Sequence, residues 1–255
     1  MSGLHVVERG GDQPGPVVVL LHGSMDRAAS MVRVAGALRD RHVVRYDRRG
    51  YGRSLDAGPP AGLDDHVGDL LSVLDGRPGV VAGHSYGGVV ALASAERHPE
   101  VVTGVVAFEA PMPWQPWWPS TTPGGSALAR SNADGHPGDA AEAFLRRMLG
   151  DERWEALPAG TRRQRRAEGP ALAMELISVR QGQVPYDPAL IAIPVVVGRG
   201  TRSPRHLMDA ADQLAGEIPR AELAVLEGAS HGAHRSHPEA FAELVRRLLV
   251  LVGAA

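Results

Sequence analysis

The sequence predicts an α/β protein with a mostly parallel, doubly wound sheet and helices on both faces. Two observations lead to this fold class. Short apolar runs that suit buried strands alternate with helical patterns along the chain. One of these runs, residues 80–82, continues into Gly83-His84-Ser85-Tyr86-Gly87 and then into a helical pattern that ends near Arg97. A serine therefore occupies a sharp turn between a strand and a helix.

The composition is that of an ordinary globular protein. The chain has 255 residues, of which 44% are hydrophobic and 22% charged, and this size suits one catalytic domain with an insertion. Its net charge of -2 argues against a nucleic-acid partner, and the lack of cysteine excludes disulfides and thiolate metal sites. The first residues are too polar for a signal peptide, and no apolar run reaches the roughly 18 residues of a membrane span. We expect a soluble, cytoplasmic protein with no membrane partner.

The alternation places each element of the sheet in order. Strands are expected at residues 4–9, 17–21, 42–46, 80–84, 101–108, 193–197 and 222–226. Helices that cover the sheet are expected at about 28–38, 63–74, 86–97, 204–215 and 238–252.

Residues 111–188 interrupt this alternation. They begin with prolines and tryptophans, and helical patterns follow at about 139–149 and 161–180. Because the insertion leaves the C-terminal end of a strand, it is expected to cover the active-site edge of the sheet as a helical lid. The sequence therefore predicts a core domain of residues 1–110 and 189–255 and a lid of residues 111–188.

The turn at Ser85 has the G-x-S-x-G pattern of a nucleophile elbow. In such a turn the chain before and after the serine passes so closely that side chains two residues away would collide. Gly83 and Gly87 remove the Cβ atoms that would meet there. The pattern predicts that Ser85 is a nucleophile, which needs a base because a free hydroxyl is almost wholly protonated at neutral pH.

Four motifs together resemble the α/β-hydrolase superfamily, in its lidded branch of small esterases, C–C hydrolases and lactonases. They are His22-Gly23, Asp47-x-Arg49-Gly50-x-Gly52-x-Ser54, Gly83-His84-Ser85-Tyr86-Gly87 and the late His231. The resemblance covers nearly the whole chain, with residues 111–188 as the variable part. It is specific for the fold and less so for the substrate.

The resemblance implies a role for several residues. Ser85 would be the nucleophile and His231, in the loop after the last strand, its base. The backbone N–H groups of Tyr86 and of either Ser24 or Met25 would form an oxyanion hole, with Ser24 preferred.

Two histidines near His231 compete with it for the role of base. His237 precedes Pro238 at the start of the last helix and is typical of a capping residue, while His234 falls on a variable position of the family. A metal cluster of the three is disfavoured because no cysteine and no paired carboxylate lies at a ligand spacing. We expect neither a metal nor a cofactor.

The acid of the triad departs from the usual family pattern. Most relatives carry an Asp in the turn after the strand at 193–197, where this chain has Thr201. Some members, including haloalkane dehalogenases, instead take a glutamate from the end of the preceding strand, and Glu109 stands there. Parallel strands share one catalytic edge, so Glu109 is expected beside Ser85. The competing carboxylates fall before a strand or inside a helix: Asp187, Asp209 and Asp212.

These residues predict a serine hydrolase that cleaves a carboxylic ester or lactone through an acyl-enzyme on Ser85. Dehalogenases and epoxide hydrolases need a carboxylate at the elbow, and position 85 is a serine. Two alternatives stay open: hydrolysis of a C–C bond or thioester by the same triad, and a non-catalytic member of the fold that binds a small ligand. The missing acid at Thr201 motivates the second alternative.

Apolar residues of the insertion suggest the character of the substrate. Trp114, Trp117, Met148 and Met174 are expected to line an apolar, aromatic pocket, which favours a small uncharged ester over a phosphorylated substrate. For each tryptophan on its own, packing inside a small helical subdomain is the stronger expectation than contact with a substrate.

Overall fold

The fold is known from a computed structural model that describes residues 3–12, 14–134, 136–180 and 182–254. The strands are β1 (Val6–Arg9), β2 (Val17–Leu21), β3 (Val43–Tyr46), β4 (Gly79–His84), β5 (Val102–Phe108), β6 (Val195–Gly200) and β7 (Ala221–Leu226). In the described part of the chain they form one seven-stranded sheet in the order β1-β3-β2-β4-β5-β6-β7. Only β1 runs antiparallel to its neighbour, so the other strands end at one common edge.

Helices cover both faces of this sheet. The α-helices are α1 (Val32–Ala37), α2 (Leu63–Leu74), α3 (Tyr86–Arg97), α4 (Pro123–Asp134), α5 (Pro137–Leu149), α6 (Asp151–Glu155), α7 (Ala159–Ala167), α8 (Gly169–Ser178), α9 (Arg205–Glu217), α10 (Ala233–Ser236) and α11 (Pro238–Leu251). Short 3-10 helices occupy Ala28–Met31, Gly52–Ala57 and Pro188–Leu190.

Alternate residues of the central strands enter two separate hydrophobic cores. Val19 of β2 packs with α2, α3 and α9 on one face, whereas its neighbour Val18 packs with α1 and α11 on the other. This two-residue period, in strands buried on both sides, is the physical basis of a doubly wound sheet. The predicted fold class is confirmed.

The helices α4 to α8 occupy the insertion predicted between residues 111 and 188. Helices α4, α5, α6 and α8 share a third hydrophobic cluster, centred on the buried Trp154 and Leu172, with Met25 and Tyr51 from the loops that follow β2 and β3. The division of the chain into a core and a lid stays a prediction, although the cluster shows where the insertion contacts the rest of the molecule.

Two parts of the insertion differ from the sequence expectation. The helix expected over 161–180 is broken after Ala167, because Pro170 lacks an N–H donor and Gly169 packs against the Pro137 carbonyl, which a Cβ at Gly169 would approach to 2.1 Å. The helix α4 was not expected, since it opens with Pro123 and two glycines, which are poor helix formers.

The strand β6 begins two residues later than the expected 193–197, at Val195, and ends three residues later. It continues through Gly198 and Arg199 to Gly200, because β7 pairs with it up to Gly200 opposite Leu226. Glycine has a low strand propensity, which hid this extension. Of the helices described here, none is long and apolar enough to cross a membrane.

Candidate active site

Ser85 lies at the turn between β4 and α3 in a strained backbone conformation. Its φ of 54° and ψ of -125° are unfavourable for a residue with a Cβ, and its N–H is held by the Phe108 carbonyl at 2.9 Å. A Cβ on Gly83 would stand 2.2 Å from the Gly87 carbonyl, and one on Gly87 would stand 2.6 Å from the Leu21 carbonyl. The two glycines are therefore required by close approach of the backbone, as the elbow pattern predicts.

Glu109, the residue directly after β5, is hydrogen-bonded to His231. The Glu109 side chain is fully buried, and its Oε2 accepts a hydrogen bond from His231 Nδ1 at 2.7 Å. Its Oε1 accepts from the Gly200 amide at 2.8 Å and from the Ser203 hydroxyl. Because Nδ1 carries the proton in this bond, Nε2 of a neutral His231 has a free lone pair. The carboxylate thus fixes both the tautomer and the orientation of the ring.

His84 connects the His231 loop to the elbow. Its Nε2 donates to the His231 carbonyl at 2.7 Å, and the two ring centroids lie 4.5 Å apart. His84 directly precedes Ser85, so this contact brings His231 to the side of the turn. Among the described residues, no hydrogen bond joins the Ser85 hydroxyl to His231, and catalytic contacts of this kind often tighten only when a substrate binds.

The competing acids are engaged elsewhere. Asp209 and Asp212 form ion pairs with Arg205 and Arg199 respectively. Asp187 accepts from the Ala189 amide at 3.0 Å and caps a 3-10 helix. Thr201 accepts from the Gly228 amide at 2.9 Å, so the residue at the usual acid position braces the loop that leads to His231.

The other two histidines near His231 also have different contacts. His237 is hydrogen-bonded to the neighbouring Ser236 hydroxyl at 2.8 Å, at the junction of α10 and α11. His234 is buried, and its Nε2 lies 3.1 Å from Asp26 Oδ2. Neither contact involves Glu109.

The residues predicted for the oxyanion hole lie around Ser85. A Cβ on Gly23 would stand 2.9 Å from the Ser85 Cβ, so the loop of Ser24 and Met25 passes close to the nucleophile. Tyr86 is the first residue of α3, where a helix leaves its N–H groups without intrahelical acceptors. Among the described contacts, nothing accepts from the amides of Ser24 or Tyr86.

The sequence profile of the alpha/beta hydrolase family matches residues 18–244 of the chain. The chain belongs to the alpha/beta hydrolase family. It is an enzyme of the hydrolase type, and the resemblance seen in the motifs is confirmed.

Individual relatives differ in activity. Epoxide hydrolase B of Mycobacterium tuberculosis is 38% identical over 107 residues, which cover 39% of this hydrolase and 30% of that protein. The pimeloyl-[acyl-carrier protein] methyl ester esterase of Chromobacterium violaceum is 31% identical over 239 residues, 89% of this chain and 91% of the esterase. An alpha/beta hydrolase from Sphaerobacter thermophilus has a similar structure, with a TM-score of 0.70, 26% identity and 96% coverage of both chains.

Asp26, His84 and His234 of the hydrolase form a buried group whose potential ligand atoms all lie within 4.8 Å of one another. Burial and the neighbouring His234 and His231 lower the pKa of His84 well below its usual range, so the ring is neutral. Asp26 is also bound by the Arg235 guanidinium. That positive charge on the same carboxylate opposes a divalent cation, so the cluster fits a metal poorly.

The residues predicted for a substrate pocket are spread over different surroundings. Trp114 is 8% exposed and packs edge-on against Tyr186 in the core. Trp117 is 39% exposed and lines an open groove together with His206 and Gln213. Its indole Nε1 donates a hydrogen bond to Gln213 Oε1 at 3.1 Å. Burial lowers the pKa of His206, and the electrostatic interaction with His231 lowers it further.

The two predicted methionines are also separated. Met148 is 47% exposed near the end of α5, a placement that does not support the pocket assignment. Met174 is partly buried on α8, beside Glu175. The aromatic and apolar lining as a whole stays a prediction.

A buried polar cluster beneath α8 was missed by the sequence reasoning. Glu175 is bonded to the Arg48 guanidinium, to the Tyr51 hydroxyl at 2.8 Å and to the Ser24 hydroxyl at 2.6 Å. His66 Nε2 lies 3.2 Å from the same carboxylate. The signal was a lone acidic residue inside an otherwise apolar helical pattern, which buries a charge only when it is paired.

Proposed function

We propose that this hydrolase cleaves a carboxylic ester or a lactone through an acyl-enzyme on Ser85. The observation that carries the proposal is the 2.7 Å hydrogen bond between the buried Glu109 and His231, beside the strained turn at Ser85. A buried carboxylate that orients an imidazole near a half-buried serine is the arrangement that acyl transfer to serine uses.

In this mechanism His231 Nε2 takes the proton of the Ser85 hydroxyl as Oγ attacks the substrate carbonyl. The negative charge that develops on the carbonyl oxygen is stabilised by the amides of Tyr86 and Ser24, or alternatively Met25. His231 then gives its proton to the leaving alkoxide, and the C–O bond breaks. Water, deprotonated by His231, attacks the acyl group, and the returned proton restores Ser85. The Glu109 carboxylate stabilises the imidazolium in both steps.

The serine at the elbow separates this proposal from epoxide hydrolysis. An epoxide hydrolase of the fold needs a carboxylate nucleophile, although one relative that matches 107 residues bears that name. The relative that matches nearly the whole length is named a methyl ester esterase, which supports an ester substrate. C–C bond or thioester hydrolysis uses the same triad and is the alternative within this chemistry.

For the substrate we propose a small, uncharged, ester-like molecule. The expected lining of Trp114, Trp117 and Met174 is apolar, and the formal net charge of -2 gives no reason to expect a polyanionic ligand. A partner role for nucleic acid or a membrane is not part of the proposal. The cytoplasmic location expected from the composition stays a proposal as well.

Labelling with a serine-reactive fluorophosphonate, followed by intact mass measurement, tests the proposal. The wild-type protein should gain one label, and Ser85→Ala and His231→Ala should gain none at the same exposure. Ser72→Ala is the matched control, because that hydroxyl lies on α2 and bonds only to the Gly68 carbonyl. A label that persists in Ser85→Ala refutes the nucleophile. A folded wild-type protein that takes no label would favour the non-catalytic, ligand-binding alternative.

A further inference from the structure

Residues 24–27, which we call the oxyanion loop, are held by the helices α7 and α8 of the insertion. The Ser24 hydroxyl donates to Glu175 Oε2 at 2.6 Å, and Arg165 Nη1 donates to the Met25 carbonyl at 3.3 Å. Arg27 donates to Glu168 through Nε at 3.1 Å and Nη2 at 2.6 Å. Three residues of this loop therefore depend on side chains more than 100 positions away in the sequence.

The loop needs such support because its conformation is unfavourable on its own. Met25 has a φ of 55°, in the left-handed region that a residue with an unbranched but bulky side chain rarely adopts. Strained residues of this kind persist only where the surroundings over-determine them. The Met25 side chain is buried against the cluster around Trp154 and Leu172, which comes from the same insertion.

Glu175 is connected to the segment of residues 22–24 by two routes. The first is the direct hydrogen bond from Ser24. The second runs through Arg48, whose guanidinium is paired with Glu175 while its Nε donates to the His22 carbonyl at 3.0 Å. Because His22 and Ser24 flank Gly23, one buried carboxylate is tied to both ends of the segment that passes Ser85.

The charge of Glu175 is maintained in this buried position. Burial alone would raise its pKa, but Arg48 and the hydrogen bond from His66 lower it to about 2. An ionised acceptor makes stronger hydrogen bonds than a neutral one, and the side chain is inaccessible to water. Ser24 therefore bonds to a buried carboxylate that is ionised at neutral pH.

We propose that Glu175 is a positioning residue that holds the Ser24 amide in place for the oxyanion, so that the hole is complete only when α8 is docked. This inference rests on the proposed function, since the oxyanion arises from attack by Ser85. In this arrangement the Ser24 hydroxyl donates to Glu175, and the Ser24 backbone N–H is available to the oxyanion of the substrate.

A direct role for the Ser24 hydroxyl in binding the oxyanion predicts a different result for the Glu175 variant. If that hydroxyl itself bound the oxyanion, removal of Glu175 would release it and would not impair the reaction. If Glu175 positions the loop, loss of either Ser24 or Glu175 impairs the same step, and the two losses do not add.

The test compares Ser24→Ala, Ser24→Thr, Glu175→Ala and the double variant Ser24→Ala/Glu175→Ala. Ser24→Ala keeps the backbone amide and the pair between Arg48 and Glu175, so it is expected to fold even if Glu175→Ala does not. Glu142→Gln is the control, because this lid carboxylate pairs with Arg146 and Arg166 and does not contact the loop.

Two measurements are made on each variant. Turnover of a p-nitrophenyl ester gives kcat and KM, and hydrogen exchange of peptides that span residues 20–31 reports the order of the loop without any substrate. We expect kcat to fall about 10-fold in Ser24→Ala and about 100-fold in Glu175→Ala, with KM changed less than 3-fold. The kcat of the double variant should fall no further than that of Glu175→Ala, and Ser24→Thr should keep most of the wild-type kcat. Exchange should rise in the two single alanine variants and in the double variant, but not in Ser24→Thr or Glu142→Gln.

The inference is overturned if the wild-type protein hydrolyses the ester and kcat is unchanged in Ser24→Ala and Glu175→Ala. It is also overturned by a decrease that appears in Glu142→Gln as well, because the effect would then be a general loss of lid packing. If the wild-type protein shows neither turnover nor labelling, the proposed function fails by itself. In that case hydrogen exchange still decides the positioning: unchanged exchange in both alanine variants overturns it, and faster exchange supports it.

Discussion

Replacing Glu109 with glutamine tests the central contact of the site most directly. The substitution replaces one carboxylate oxygen with an NH₂ group and hardly changes the shape of the side chain. The wild-type Oε1 accepts from the Gly200 amide, which is a backbone N–H and cannot turn away. If the new amide group faced Gly200, that buried N–H would lose its acceptor at a cost of about 1–3 kcal/mol. The glutamine oxygen should therefore stay on Gly200, and its NH₂ should face His231.

This orientation reverses the tautomer of His231. A donor opposite Nδ1 makes that nitrogen the acceptor, so the proton moves to Nε2, which can no longer take the proton from Ser85. The loss of the carboxylate also removes the charge that stabilises the imidazolium. For a serine triad, these changes together correspond to roughly a 10³–10⁴-fold decrease in kcat, or about 4–5.5 kcal/mol of transition-state stabilisation.

The assay is initial-rate hydrolysis of a p-nitrophenyl ester, with circular dichroism to establish that the variant is folded. Ser203→Ala is the informative comparison, because it removes one hydrogen bond to Glu109 but keeps the charge and the His231 contact. It should reduce kcat by about 10-fold or less. Asp209→Asn should leave kcat unchanged, since this carboxylate is paired with Arg205. A folded Glu109→Gln enzyme with kcat within 10-fold of wild type would refute the assignment of the acid.

Two further predictions concern stability. Gly83→Ala should destabilise the protein by about 3 kcal/mol or more, because the new Cβ would meet the Gly87 carbonyl at 2.2 Å. Gly68→Ala lies in α2 with open space around it and should instead stabilise the protein by about 1 kcal/mol. Urea unfolding of both variants measures this, and equal effects would contradict it. The second prediction is that stability falls between pH 6.5 and 4, because burial lowers the pKa of His22 to about 4 and that of His84 well below 6.5. The unfolded chain binds more protons in this window, which for His22 alone amounts to roughly 3 kcal/mol by pH 4, and a flat urea midpoint from pH 7 to 4.5 would contradict it.

The local sequence was sufficient to predict the sheet, the turn at Ser85 and the loop of His231. Each depends on short-range physics: period-two burial in the strands, glycines where the backbone passes closely, and a histidine just after a strand end. The choice of Glu109 over Thr201 came from the resemblance to members of the superfamily that carry a glutamate at this strand end, and the common edge of parallel strands made it compatible with Ser85. The hydrogen bond between Glu109 and His231 agrees with that choice.

Other features were decided only by the tertiary structure. The contacts of Glu109 with Gly200 and Ser203, and those of Glu175 with Ser24, join residues separated by 91 to 151 positions. No local pattern encodes such partners, since a buried carboxylate requires donors but not at any fixed spacing along the chain. The sequence by itself determined where a nucleophile could form. Packing of the insertion against the sheet decided which side chains hold the loop around it.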